Sequence, residues 1–311
     1  MKIVFMGTPE FAVPSLKAIA EAGYEIAAVV TNQDEPQGRG LKISPSAVKT
    51  AALELGLPII QAASLKDPEF VARLKTIAPD LMVVVAFRIL PRDVFTIPKL
   101  GTFNLHASLL PRYRGAAPIN WAIIRGERET GVTTFFLDDK VDTGKIILQK
   151  KTSISIDDTA SELAKRLSLT GAEAVVETIR LVEDGNVKII EQDNSLATTA
   201  PKISKENCLI DWSKPAKEVH NFVRGFSPEP GAYTFLDDKF LKIFRTRLTG
   251  EKANPSAGEI KIGAGRFYTS CSDELVEVLE LQLEGKKKLD AREFVRGARI
   301  ESGEKFQNGK A

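Results

Sequence analysis

The sequence predicts an α/β protein: a doubly wound, mostly parallel, Rossmann-like sheet followed by a smaller β-barrel domain. Three observations predict it. From Lys2 to about Glu183, short apolar runs alternate with segments of helical apolar spacing, the order that builds parallel sheets. One run, Asp80–Ala86 (DLMVVVA), is apolar throughout, as a strand covered on both faces must be. Beyond Ala200–Lys205 (APKISK) the pattern changes to short strands with Gly-rich turns. The 311-residue length suits two domains at roughly 150 residues each, divided as 1–204 and 205–311.

Lys2–Met6 reads as a buried strand ended by Gly7. Phe11–Ala22 is a helix with Pro14 in its first turn, where proline is tolerated, and with Gly23 as its stop. Glu25–Thr31 is the second strand, and a polar loop runs from Asn32 to about Ser44. Then come a helix at Pro45–Leu55, a short strand at Pro58–Gln61, a helix at Asp67–Thr76, and strands at Asp80–Ala86 and Gly101–His106. Pro118 opens a helix to about Ile124, and Val132–Leu137 and Lys145–Ile156 are two further strands. Thr159 starts a long helix to about Glu183, with Glu162 placed to complete a capping box. The second domain offers a helix at Ala216–Arg224 and strands at Gly231–Leu236, Lys239–Leu248, Gly258–Ile262 and Leu275–Leu283, with a last helix at Asp290–Arg299.

Composition removes whole classes of chemistry. Lys plus Arg number 43 and Asp plus Glu 41, a formal net charge of +2. That argues against coating nucleic acid through bulk charge and leaves room only for a local basic patch. The two cysteines, Cys208 and Cys271, form no CxxC pair, and with two histidines they leave no structural zinc site. They fit reduced thiols in a reducing compartment. No apolar stretch approaches the roughly 20 residues of a membrane span. MKIVFMG enters a strand pattern with neither a signal peptide nor an Arg-rich transit segment, so a soluble cytoplasmic protein is expected. The turn Gly7–Glu10 does not continue as GxGxxG, and no acidic residue is placed for a ribose, which sets nicotinamide nucleotides aside.

Doubly wound sheets put their ligands at the carboxyl ends of their strands. The segment from Asn104 to Gly115 lies at and just after such an end. In a strand, Asn104 and His106 point to the same face. A carboxylate, Asp142, follows in the turn DDKVDTG. An amide donor, an imidazole and a carboxylate suit acyl transfer through a tetrahedral intermediate. GxSxG is absent and neither cysteine has a histidine near it in sequence, which favours direct attack by an amine over an acyl-enzyme. On residue type alone, His106 is as compatible with a satisfied core histidine, and Asp142 with turn chemistry. His220 reads as structural.

The stretch NLHASLLPRYRGAAPINWAI, followed by GVTTFFLDDKVDTGKI, resembles the folate-dependent formyltransferases. FMGTPEFAVPSL, DEPQGRGLKISPSAVK, APKISKENCLIDW and FSPEPGAYT extend the resemblance over nearly the whole chain, toward the tRNA-directed branch. The resemblance implies a Rossmann-like catalytic domain with an OB-like β-barrel after it. It implies 10-formyltetrahydrofolate as formyl donor and, as acceptor, the α-amine of methionine esterified to initiator tRNA. The family's catalytic Asn, His and Asp match Asn104, His106 and Asp142. The roles it implies are an oxyanion donor for Asn104, an oxyanion stabiliser or proton donor for His106, and for Asp142 the orientation of His106 and removal of the amine proton. Ser108, Leu109, Leu110 and Pro111 match the folate-site loop, which can offer main-chain groups and an apolar wall. Arg39 and Lys42 match the loop that reads the acceptor end of the tRNA, where a flexible basic loop can hold phosphates. Lys202 and Lys205 in the linker are further tRNA candidates, with Lys242, Arg245 and Arg247 weaker ones. A monomer with no metal is expected.

The chain departs from the family pattern in three places. Relatives read AYGxILP or AFGxILP where this chain has Ala86-Phe87-Arg88-Ile89-Leu90-Pro91, one residue shorter and without the glycine. Thr199 stands where Tyr is common, and Glu229 replaces an aromatic in Ser227-Pro228-Glu229-Pro230-Gly231. The rival readings are a formyltransferase acting on an amino sugar nucleotide or glycinamide ribonucleotide, and an inactive RNA- or nucleotide-binding protein. The residues beyond Ser204 and the Arg39 loop argue against the ribonucleotide, and the intact Asn–His–Asp set argues against inactivity.

Overall fold

The computed structural model describes residues 1–37, 42–253, 256–297 and 300–307. Two compact units interleave along the chain. One comprises Met1–Gly115, Glu129–Ser153 and Ala164–Thr199, the other Ala116–Arg128, Ile154–Leu163 and Ala200–Ala311.

The first unit is built from strands β1 (Lys2–Gly7), β2 (Glu25–Thr31), β3 (Glu35–Gln37), β4 (Lys42–Ser44), β5 (Ile59–Gln61), β6 (Leu81–Val85), β7 (Thr102–His106), β8 (Glu129–Phe136) and β9 (Ile146–Ser153). Seven of them form one sheet in the order β5-β2-β1-β6-β7-β8-β9. The β5-β2-β1-β6-β7 part is parallel, and β8 and β9 add antiparallel pairs. The parallel part is connected by α1 (Val13–Glu21), α2 (Ala47–Glu54), α3 (Pro68–Ile77) and the short α4 (Arg92–Phe95). Strand order runs outward from β1 to β5 and then back to β6, so a topological switch lies between β1 and β6, next to β7.

Local chemistry explains the boundaries. Pro14 sits in the first turn of α1, and Gly23 follows its end with φ of 80°. Ser46 caps α2 by accepting from the Lys49 N–H, and Asp67 caps α3 by accepting from the Glu69 N–H. Every residue of β6 is buried, as its unbroken apolar run requires. The polar loop expected from Asn32 to Ser44 differs from expectation: its flanks pair as the antiparallel strands β3 and β4. EPQ and KIS carry no alternating apolar signal, so the sequence pattern does not announce this pairing.

The helix α5 (Pro118–Ile124) falls in the second unit, and α6 (Ala160–Glu183) runs through residues of both divisions. The α6 capping box forms as its sequence implies: Glu162 accepts from the Thr159 N–H at 2.9 Å, and Thr159 accepts from the Glu162 N–H at 3.3 Å. Burial raises the Glu162 pKa, but the Thr159 N–H and hydroxyl and the Arg245 guanidinium outweigh it and bring it down to about 2.

The second unit also carries α7 (Ala216–Gly225), β10 (Ala232–Leu236), β11 (Lys239–Lys252), β12 (Ile260–Gly263), β13 (Arg266–Ser270), β14 (Glu274–Leu283), β15 (Leu289–Asp290) and α8 (Ala291–Gly297). The sheet runs β10-β11-β14-β13-β12, antiparallel throughout, with β15 added to β14. Strands β13 and β15 are additions to the expected set. One late segment bonds both edges. Phe235 and Gln307 exchange main-chain bonds of 3.3 and 2.9 Å, while Ile260 donates to Glu304 at 2.7 Å and Phe306 to Gly258 at 2.9 Å. Residues 303–307 thereby close the sheet into a barrel, which removes its free edges. Trp212 stacks on Phe306 in the barrel core, with ring centroids 5.1 Å apart, and donates its indole N–H to Thr234. Both cysteines are free and buried; burial pushes the Cys208 thiol up to about 11 and that of Cys271 to about 12.

Candidate active site

Strand β7 carries the first two groups. Val84 of β6 and Phe135 of β8 flank Asn104, and Thr133 lies beside His106. Pleat alternation sends Leu105 to the face covered by Gly171 of α6, where a Cβ on that glycine would lie 2.6 Å from Leu105. Asn104 and His106 share the opposite face. The Asn104 side chain is half-buried, and among the described residues nothing bonds its carboxamide. Its donors therefore remain available at the carboxyl end of β7.

His106 is buried. Its Nε2 lies 2.8 Å from the Tyr113 carbonyl oxygen, and its Nδ1 lies 3.7 Å from Oδ2 of Asp142. A carbonyl oxygen only accepts, so Nε2 carries a proton, and Nδ1 is the nitrogen turned toward Asp142. Orientation of the imidazole thus comes from the Tyr113 main chain. Asp142, expected from the resemblance to orient it, stands beyond hydrogen-bond range.

The turn after β8 presents Asp142. Asp138 accepts from the Lys140 N–H at 3.0 Å and from the Thr143 hydroxyl at 2.8 Å, which folds the turn. Asp142 itself has a φ of 56°, in the left-handed region. A Cβ at Gly144 would lie 1.7 Å from the Phe136 carbonyl oxygen, so only glycine fits there. The Gly115 N–H donates to Asp142 Oδ2 at 2.8 Å and aims the carboxylate. Gln192 donates to the Asp142 and Gly144 carbonyls, and Arg114 donates to Gln192. Arg114, Gln192 and the Tyr113 carbonyl are additions to the sequence-derived set.

The polar groups of the loop 108–111 are largely bonded to Arg112, Thr133 and Gln149. The Ser108 hydroxyl donates to the Arg112 carbonyl at 2.6 Å. Thr133 donates to the Ser108 carbonyl and accepts from the Leu110 N–H, and Gln149 donates to the Leu110 carbonyl. These groups are taken, so the loop's main remaining asset is apolar surface at Leu109 and Pro111, both half-buried. Behind it, Leu110 packs with Phe135 and Ile146. After β6, Ala86 takes a positive φ, 47°. Arg88 then donates to the Ala62 and Ala63 carbonyls at 2.8 and 3.1 Å and lies over the Phe87 ring, tying this loop to the one after β5.

Arg39 lies outside the described residues, and Lys42 contributes the first residue of β4. Lys202 and Lys205 are exposed. Lys242 donates to the Pro230 carbonyl, Arg245 pairs with Glu162, and Arg247 with Glu277. Glu229 is exposed, and Thr199 bridges to Arg114. His220 is held in the second unit by Thr246 and the Ile156 carbonyl, as a structural residue would be.

Residues 1–179 match the family model described as formyl transferase, and residues 202–299 match that of the formyl transferase C-terminal domain. The chain belongs to the formyl transferase family. A methionyl-tRNA formyltransferase of Chlorobium luteolum is 51% identical over 307 residues, covering 97% of this chain and 98% of that protein. Another, from Chlorobium phaeovibrioides, is 50% identical over 312 residues, covering 98% of each. Among solved structures, an N-formyltransferase of Helicobacter canadensis with folinic acid and dTDP-3-aminofucose superposes with a TM-score of 0.69 at 24% identity, over 93% of this chain and 100% of that one. This likeness shows the fold. In this formyl transferase, no group of three His, Cys, Asp or Glu among the described residues could hold a metal ion. No helix among them is long and apolar enough to cross a membrane.

Proposed function

We propose that this chain transfers the formyl group of 10-formyltetrahydrofolate to the α-amine of methionyl initiator tRNA, giving formylmethionyl-tRNA for translation initiation. The observation that carries the substrate is the 51% identity over nearly the full length to a methionyl-tRNA formyltransferase. Asn104, His106 and Asp142, gathered near the carboxyl end of β7, support the chemistry.

The donor supplies an electrophilic formyl carbon on N10. The amine nitrogen bonds that carbon, the carbon–N10 bond breaks, and one proton passes from the amine to N10. Asn104 donates to the oxygen that becomes negative in the tetrahedral intermediate. Nδ1 of His106 and the Asp142 carboxylate form the acceptor pair for the amine proton, which the same pair returns to the leaving nitrogen. The free Asn104 amide and the apolar surface at Leu109 and Pro111 fit a folate ring with its formyl oxygen toward β7. Ser108 and Leu110 shape that wall from behind.

Residues 1–204 serve as the catalytic domain and 205–311 as the barrel that helps hold tRNA. Arg39, Lys42, Lys202 and Lys205 contact its phosphates as placed charges, since the net charge is only +2. The enzyme acts as a cytoplasmic monomer. The test supplies 10-formyltetrahydrofolate with charged initiator tRNA, glycinamide ribonucleotide or an amino sugar nucleotide. Formylation of the tRNA-linked methionine alone is expected; exclusive formylation of either small amine overturns the reading.

A further inference from the structure

We infer that Gln192 is a positioning residue that sets Asp142 for proton removal. The inference rests on the role given to Asp142 above. Gln192 is 9% exposed, although every other residue of its stretch, IIEQDNS, is exposed. Its Nε2 donates to the Asp142 carbonyl at 2.9 Å and to the Gly144 carbonyl at 2.8 Å. Its Oε1 accepts from Arg114 Nε at 3.2 Å and Nη2 at 2.6 Å. Carbonyls cannot donate and a guanidinium cannot accept, so only one orientation of this amide satisfies all four bonds.

The turn it holds needs holding from outside. Asp142 stands at a φ of 56°, a conformation that a non-glycine residue keeps only when its surroundings enforce it. Gly144 has no side chain to brace the turn, and Asp138 braces it only at the Lys140 N–H and the Thr143 hydroxyl. Gln192 fixes the peptide carbonyls on both sides of Thr143, and Arg114 fixes Gln192. Arg114 is followed by Gly115, whose N–H grips the Asp142 carboxylate at 2.8 Å. One dipeptide, Arg114-Gly115, therefore secures the carboxylate directly and its backbone through Gln192. Arg114 also donates to Asn194 Oδ1 at 2.8 Å, which anchors the segment that carries Gln192. Loss of the amide leaves the buried Gly144 carbonyl and the partly buried Asp142 carbonyl without their donor and frees the turn to shift.

The test uses the full-length proteins Q192E, Q192M, D142N and Q192M/D142N, assayed for formyl transfer from 10-formyltetrahydrofolate to methionyl initiator tRNA. Q192E keeps a partner for Arg114 but removes both donors to the turn, and it decides the matter if Q192M is too unstable to assay. The expected result is a kcat lowered by about 100-fold in Q192E and Q192M, the loss that a small displacement of a catalytic group produces. KM for the folate should stay unchanged, and Q192M should cost no further rate in the D142N background. Wild-type kcat in Q192E overturns the inference. An undiminished effect of Q192M on top of D142N also overturns it, because the residue would then act independently of that carboxylate. A wild-type rate for D142N overturns the reading of Asp142 itself and takes the inference with it.

Discussion

Nδ1 of His106 stands 3.7 Å from Oδ2 of Asp142, while the opposite ring nitrogen is bonded to the Tyr113 carbonyl at 2.8 Å. The ring is thus anchored by a group that no side-chain substitution removes, and its other nitrogen faces the carboxylate. An H106A protein loses the imidazole and should transfer formyl about 10²- to 10⁴-fold more slowly, the range for a positioned acid or base. Single-turnover formylation of methionyl-tRNA measures this directly. A rate near that of the wild type would remove His106 from the mechanism.

Asn104 differs because its carboxamide bonds nothing among the described residues and is only half-buried. N104A should therefore leave the melting temperature nearly unchanged while lowering kcat by about 10²- to 10³-fold, as loss of one oxyanion donor does. N104D, which aims a negative charge at the developing oxyanion, should be slower still. Thermal melts run beside steady-state assays separate the two effects. A large drop in melting temperature with little loss of rate would mark Asn104 as structural.

What the sequence reveals here depends on the range of the interactions. Strand β6 was readable because its apolar run is unbroken, and α5 because Pro118 opens it within the predicted span. Asn104 and His106 were readable as a pair because a strand's period of two puts them on one face. The β3–β4 pairing was not equally readable: EPQ and KIS offer no periodicity, so it arises only in three dimensions. Gln192 left no local signal, since its bonds reach back 50 residues to Asp142. The Tyr113 carbonyl that orients His106 is a main-chain group, which any residue type supplies. Barrel closure by 303–307 similarly depends on which edges meet, and residue identity there says nothing of it.

The base of the Asn32–Ser44 segment is pinned by side chains. Gln61 donates to the Asn32 carbonyl at 2.7 Å and to Asp34 at 2.9 Å, and Lys49 donates to Asp34 at 2.6 Å and to Gln61 at 2.9 Å. The Lys49 and Gln61 hydrogen bonds lower the Asp34 pKa, so the clamp holds throughout the neutral range. R39A, which removes one placed cation, should raise KM for tRNA several-fold, lessen its salt dependence and spare KM for the folate. Q61L, which loosens the base, should raise KM for tRNA in the same direction by a smaller factor. An unchanged KM for tRNA in R39A at moderate salt would remove this loop from tRNA binding.

His220 offers a prediction about stability alone. It is 2% exposed, its Nε2 donates to the Ile156 carbonyl at 2.9 Å, and its Nδ1 lies 2.9 Å from the Thr246 hydroxyl, which donates to it. Both nitrogens are satisfied by the neutral ring. Burial, aided by the Arg224 guanidinium, holds its pKa below the ordinary 6.5, against the smaller pulls of the Ile156 carbonyl and Asp157. The unfolded chain therefore binds a proton at His220 more readily than the folded one, and stability rises with pH wherever that holds. The contribution is complete above about pH 6.5, the unfolded value, and is lost as pH falls toward the lower folded value. H220Q should cost about 1–3 kcal/mol at pH 8 through the buried partners it leaves imperfectly bonded. Below pH 6.5 the wild type should lose stability faster than H220Q, so the gap between them narrows on acidification. Urea denaturation of both proteins at intervals from pH 8 to pH 5 measures the gap, and a gap that stays constant or widens would contradict the neutral buried imidazole.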